Sequence, residues 1–278
     1  MPGVSEALES LWTQGIREAL VQPTHILYGH EYDKIKAEMA PWQGRFDTLR
    51  IGRPLLADTA DIQTLTEALS QAYPPREDEA LILFGHGTDH FANAVYPALQ
   101  TSFQLAGRED VLIGTVEGWP VYEEISRQLK SGGRKCVHLV PLMLVAGDHA
   151  MNDMAGEEAD SWASRLAAEG YTVRCTVQGL GLLPAVQGMY CAHTAVCGGG
   201  TALCRRLMEA ATTDACIAEL DAAGLREPVM RSLLAAIQSH LEYRAAGAFT
   251  IGAIVFSNEY GLLGKTETVE EIMEQWKN

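Results

Sequence analysis

The sequence predicts an α/β fold in which parallel sheets are flanked by helices. Three observations point there. Short, continuously apolar runs that end in glycine recur along the chain, as strands buried on both faces require. Segments with helical apolar spacing separate them. Polar, glycine-flanked turns follow the strongest runs, at the edge where a parallel sheet binds its ligands. Taken in order, residues 24–28 form a β-rich run closed by Gly29, and residues 46–56 alternate in part but contain Gly52 and Pro54. Residues 80–84 are apolar up to Gly85, residues 111–116 repeat this around Gly114, residues 137–145 make the strongest run, and residues 171–177 end the series before Gly179. Between them, Leu65 and Leu69 stand four apart within 61–71, residues 91–105 carry apolar positions at helical spacing, and 121–129 and 157–168 are amphipathic. Strand, helix and strand in alternation imply right-handed βαβ units. Gly198-Gly199-Gly200 reads as a linker, because three glycines in a row lose too much entropy inside a helix or strand. Beyond it lie helical patterns at 201–211 and 227–245, an apolar strand at 249–256 and a charged helix at 266–276.

The chain has 278 residues, with 36 acidic against 21 basic ones and a formal net charge of −15. Its 47% hydrophobic content excludes disordered and fibrous classes. The acidity argues against nucleic acid, whose phosphates need a Lys/Arg footprint. It suits cations and sits awkwardly with a polyanionic substrate. No apolar run approaches the roughly 18–20 residues of a membrane span. The N-terminus lacks the basic start and apolar stretch of a signal peptide, so a cytoplasmic location is expected. None of the six cysteines forms a C-x-x-C pair, and reduced thiols are the expectation. Cys191, His193 and Cys197 lie close together, but their spacing matches no standard structural zinc site.

Titratable groups follow three of the expected strands. After 80–84 comes Gly85-His86-Gly87-Thr88, after 111–116 comes Glu117-Gly118-Trp119-Pro120, and after 137–145 comes Ala146-Gly147-Asp148-His149. His86, Glu117 and His149 are 31 and 32 residues apart, about one βαβ unit per step, so all three should reach one edge of one sheet. Two imidazoles and a carboxylate suit a borderline divalent metal. Three protein ligands leave a coordination position open. A polar residue in a strand-to-helix turn also serves as a helix cap, but three in register at one edge favour a site. His90 is expected to face a ligand rather than bind metal, while His25, His138, His193 and His240 read as core or surface histidines. Gly264-Lys265-Thr266 sits in a phosphate-loop context, but Glu259 stands where that motif needs glycine.

At these residues the sequence resembles the anaerobic cobaltochelatases of the CbiK type, class II chelatases. The resemblance is carried by Phe84-Gly85-His86-Gly87-Thr88 with Ala92-Asn93, by Val116-Glu117-Gly118-Trp119-Pro120, and above all by the long run from Pro141 through Gly147-Asp148-His149-Ala150-Met151-Asn152-Asp153 to Gly156. Gly29-His30-Glu31-Tyr32-Asp33 and Gly52-Arg53-Pro54-Leu55-Leu56 also match family segments. The resemblance covers about residues 5–195. It implies insertion of Co²⁺ into sirohydrochlorin on the anaerobic route to cobalamin. It also implies two related lobes around the tetrapyrrole and metal ligation at His86, Glu117 and His149. Sirohydrochlorin and a divalent metal are the expected partners, with Co²⁺ as substrate metal and no organic cofactor. An imidazole titrates near neutral pH, so a histidine there can hold metal or accept a pyrrole proton. Arg53 and His90 are the expected contacts on the tetrapyrrole side.

The chain departs from the family in one respect. Members open with an apolar strand and a Ser-Phe-Gly-Thr type loop, whereas the match here begins partway through the first lobe. The expected organisation is a partial first lobe over 1–77, a second lobe with the metal site over 78–197, and an appended segment over 198–278. The strand at 249–256 is a candidate to complete the first lobe. Two other functions remain open: a non-catalytic tetrapyrrole or metal carrier, and a His₂Glu metal-dependent hydrolase, although no H-E-x-x-H occurs.

Overall fold

The computed structural model describes residues 3–197. The expectations for 201–211, 227–245, 249–256, 261–266 and 266–276 lie outside the described residues. Two parallel sheets organise the rest. The smaller pairs β1 (Glu18–Val21) with β2 (Thr48–Ile51). Helices α1 (Val4–Thr13) and α2 (His30–Met39) accompany it. Leu8, Met39, Trp42 and Phe46 form its core, with Val21 and Ile51 packed against them.

The larger sheet contains β3 (Glu79–Gly85), β4 (Val111–Thr115), β5 (Cys136–Leu142) and β6 (Thr172–Cys175), in the order β4-β3-β5-β6 and all parallel. The remaining α-helices among the described residues are α3 (Thr59–Ala72), α4 (Val95–Leu105), α5 (Tyr122–Gly132), α6 (Trp162–Ala168) and α7 (Pro184–Cys197). The alternation of side chains along a strand divides two apolar layers cleanly. Leu81, Leu83, Val140 and Leu142 join Leu99 and Phe103 of α4 on one face. Ile82, Phe84, Val137 and Leu139 join Ile125 and Leu129 of α5 and Leu166 of α6 on the other. Both faces are covered, so the strands read as unbroken apolar runs. A methyl group on Gly114 of β4 would lie 2.5 Å from Trp162 and 2.7 Å from Ile125, so only glycine lets the indole seat against this strand.

The topology also places the site. From β3 the chain crosses to β4 on one side, then returns over β3 to β5 on the other. The strand order therefore reverses beside β3, and ligands of open α/β sheets bind at such a point, outside the carboxyl ends of the strands.

Several expectations are revised. Residues 24–28 are not a strand; β1 lies earlier, at Glu18–Val21. The segment does run beside 55–56, since Leu55 and Leu56 N–H donate to His25 and Ile26 carbonyls at 2.9 Å. Pro23 and Pro54 have no N–H to extend the ladder. The helix expected at 157–168 starts only at Trp162, where the Ser161 hydroxyl accepts the Ser164 N–H at 3.1 Å as an N-cap. The run 137–145 leaves the sheet at Leu142, and the Met143 and Leu144 carbonyls accept instead from Leu180 and Gly181. The cores do not divide at residue 77, because Leu55, Leu56, Leu65 and Leu69 pack within the layer of the larger sheet.

Candidate metal centre

The three turns after β3, β4 and β5 are built to lie close together. Past the last paired residues, Glu117 N–H donates to the His86 carbonyl at 2.8 Å, which carries the β3–β4 pairing into the turns. Gly87 has φ +83°, in the left-handed region glycine tolerates. A methyl there would lie 2.3 Å from Gly118 N, and a methyl on Gly118 would lie 2.8 Å from Gly87 Cα. The two backbones thus touch directly, and their neighbours His86 and Glu117 are brought together. Asn93 clamps the same turns. Its Oδ1 accepts the Thr88 N–H at 3.1 Å and its Nδ2 donates to the Trp119 carbonyl at 2.7 Å. From below, the buried Tyr96 hydroxyl accepts the Gly87 N–H at 3.1 Å. Neither Asn93 nor Tyr96 was singled out as a site residue from sequence, although Asn93 lies in a quoted motif.

The result is a three-donor group. Ligand atoms of His86, Glu117 and His149 all lie within 4.8 Å of one another, the one such group of three metal-ligating residues among the described residues. His86 Nδ1 stands 3.7 Å and His149 Nε2 3.9 Å from the Glu117 carboxylate. The two imidazole centroids are 4.6 Å apart, edge to face. The side chains are 49%, 56% and 31% exposed in chain order, so the group is open to a hydrated ion.

Neighbours fix which ring nitrogen is free. His149 Nδ1 bonds to Asp153 Oδ2 at 2.6 Å, one turn along the π-helical turn Ala150–Met154. A carboxylate accepts, so Nδ1 carries the proton and Nε2 keeps its lone pair. A ligating histidine is commonly oriented in this way. His86 Nδ1 meets the Gly87 carbonyl at 2.9 Å and is likewise the donor, leaving Nε2 free. Asp153 is a supporting residue that strand-end reasoning missed; its signal was the i, i+4 spacing from His149.

The other expected contacts have different surroundings. His90 caps the turn Phe91–Ala94, its Nδ1 accepting the Ala92 N–H at 3.0 Å. Its ring lies 4.9 Å from that of His30, and its Nε2 is 3.7 Å from Asp33. It does not join the three donors. Arg53 is committed to the start of α3, donating to Asp58 Oδ2 at 2.7 Å. That hydrogen bond holds its pKa above the ordinary arginine value, and Asp58 is held low, first by the Asp61 N–H and then by Arg53. The structure thus gives Arg53 an internal carboxylate partner where a macrocycle carboxylate was expected.

The model of the cobalt chelatase (CbiK) family matches residues 1–197. The chain belongs to that family. Among its curated relatives is the sirohydrochlorin cobaltochelatase of Salmonella typhimurium, 40% identical over 189 residues, covering 68% of this chain and 71% of that one. Sirohydrochlorin cobaltochelatase CbiKC of Nitratidesulfovibrio vulgaris is 38% identical over 178 residues, covering 62% of this chain and 61% of its own length. Among solved structures, SirB from Bacillus subtilis with Fe³⁺ superposes with a TM-score of 0.51 at 19% identity, over 71% of this chain and 80% of that one, a likeness of fold. The tail, for which the sequence reading found no family, matches the model of the CbiD C-terminal domain over residues 187–267. This second match overlaps the cobalt chelatase match along α7.

Proposed function

We propose that the chain inserts Co²⁺ into sirohydrochlorin, with His86, Glu117 and His149 as the metal-binding residues. One observation carries the reading: three donors from three successive strand ends converge at the switch point of the sheet, in a member of the cobalt chelatase family. Insertion makes two demands. Water must be exchanged for ligands on Co²⁺, and two pyrrole N–H protons must leave. Imidazole and carboxylate donors suit cobalt, and an exposed three-donor group leaves positions through which the metal passes on to the macrocycle. His149, oriented by Asp153, and Glu117 hold Co²⁺. His86 holds the metal or accepts a pyrrole proton through its free nitrogen. No covalent intermediate is needed. Among the described residues no helix is long and apolar enough to cross a membrane, and the acidic composition argues against nucleic acid as a partner.

The test is cobalt insertion followed by absorbance of the tetrapyrrole. The parent chain turns over, and His149→Ala loses at least about a hundredfold in kcat/KM, the scale of losing a metal ligand together with its support. Insertion by His149→Ala at the parent rate would end the assignment. Binding of sirohydrochlorin without turnover would instead identify a carrier, and absence of binding would favour a hydrolase.

A further inference from the structure

Among the described residues, six large apolar side chains are exposed: Ile16, Phe91, Leu105, Trp119, Met151 and Val177. Three of these stand on the three turns that carry the metal donors. Phe91, 90% exposed, lies five residues past His86; Trp119, 55% exposed, lies two past Glu117; Met151, 46% exposed, lies two past His149. Leu105 ends α4, Ile16 precedes β1 and Val177 follows β6, so none of the other three belongs to these turns. Scattered exposed apolar residues need no explanation, but their gathering around one site marks a contact surface.

Their backbones are held while their side chains face water. Asn93 Nδ2 binds the Trp119 carbonyl at 2.7 Å. Phe91 stands in the turn capped by His90. Met151 N–H donates to the Gly147 carbonyl at 3.0 Å. Apolar groups presented on fixed turns bind with little further ordering, which is how pre-organised contact surfaces gain affinity.

We infer that Phe91, Trp119 and Met151 form an apolar rim that grips the face of the tetrapyrrole while its centre lies over the metal donors. The inference rests on the chelatase reading and names the residues that recognise the macrocycle. A ring that receives the metal at its four nitrogens must lie over His86, Glu117 and His149, so its outer parts extend across the next residues of the same turns. The indole and phenyl groups stack on a flat conjugated system, and the methionine thioether adapts to its edge. The net charge of −15 opposes a polycarboxylate at long range, which favours attraction through contacts to the uncharged face.

The experiment uses the full chain, with sirohydrochlorin and Co²⁺ titrated separately. Trp119→Ala raises KM for sirohydrochlorin about tenfold, Phe91→Ala and Met151→Ala raise it less, and Co²⁺ binding in the absence of tetrapyrrole stays at the parent value. Trp119→Phe restores most of the affinity, which also shows that the effect is not one of folding. Sirohydrochlorin quenches tryptophan emission in the parent more than in Trp119→Phe. If the parent is active and the triple alanine variant keeps its KM, the rim is wrong. It is equally wrong if the triple variant changes the oligomeric state in sedimentation while KM holds, since the surface then serves protein contacts. A parent that shows the Trp119-dependent quench yet inserts no cobalt overturns the chelatase reading and leaves the rim standing.

Discussion

His149 is oriented by a hydrogen bond more than by burial. Its side chain is 31% exposed, and its Nδ1 is fixed by Asp153 at 2.6 Å. Removing that partner frees the ring to rotate and to exchange tautomers, so the lone pair no longer points at the metal for most of the time. Asp153→Ala is therefore expected to weaken Co²⁺ binding about 10- to 100-fold. Asp153→Asn, which still accepts from Nδ1 but lacks the charge, falls in between. Because the Asp153 side chain is 44% exposed, the urea midpoint stays within error of the parent. Calorimetric titration with Co²⁺, alongside KM for cobalt and for sirohydrochlorin, checks this; a parent-like Co²⁺ affinity in Asp153→Ala would exclude the orienting role. The convergence of His86, Glu117 and His149, the proposed metal donors, was legible in the sequence because each follows a short apolar run of buried-strand character. Asp153 was not, since strand-end reasoning looks only at the first residues past a strand. The pairing of Arg53 with Asp58 was not legible, because Asp58 is the N-cap of α3 and such a pair cannot be read before the helix start is known.

At the scale of elements, the strands buried on both faces were readable and the half-buried ones were not. β3, β4 and β5 fall within a residue or so of their expected starts, because each is covered by helices on both faces and so carries a continuous apolar signal. β1 escaped notice because Glu18 opens a four-residue strand with no fully buried side chain. α2 escaped because His30–Met39 buries only Tyr32 and Met39, too few positions to show a period. One polar link across the larger sheet was also hidden. His138 of β5 is buried, with its Nε2 at 2.8 Å from the Thr176 hydroxyl and 3.1 Å from Arg174. Arg174 of β6 in turn forms a two-bond pair with Glu79 of β3, at 2.7 and 2.8 Å. Burial first, and the Arg174 charge second, push the His138 pKa down from 6.5 to about 4. The folded state thus binds this proton more weakly than the unfolded chain. Stability from this group is complete above about pH 6.5 and is lost progressively as pH falls toward 4, by on the order of 3 kcal/mol. Glu79, held below its ordinary value chiefly by Arg174, adds a loss only at still lower pH. Urea unfolding at pH 7.5 and 5 checks the sign: the parent loses stability over this interval, and His138→Gln, which has no proton to gain there, loses less. An equal slope in both proteins would remove His138 as the cause.

At the scale of the whole molecule, the two proposed substrates meet the same field with opposite signs. A net charge of −15 draws in Co²⁺ and repels the carboxylates of sirohydrochlorin. The acidity that at first suited only a cation is thus compatible with both substrates if the macrocycle is held by its apolar face and by the metal donors, not by a basic patch. This has a consequence in salt. Screening lengths fall from about 30 Å at 0.01 M ionic strength to about 8 Å at 0.15 M, so raising salt across this range removes most of the long-range field while leaving short contacts in place. KM for Co²⁺ should therefore rise and KM for sirohydrochlorin should fall, with kcat at saturation of both nearly constant. Initial rates at 10 and 150 mM KCl, varying each substrate against saturating levels of the other, measure the two trends. Movement of both KM values in the same direction would show that local charges near the metal donors, and not the net charge of the chain, govern the approach of one substrate. If only the sirohydrochlorin trend inverts, an unassigned basic contact must meet its carboxylates.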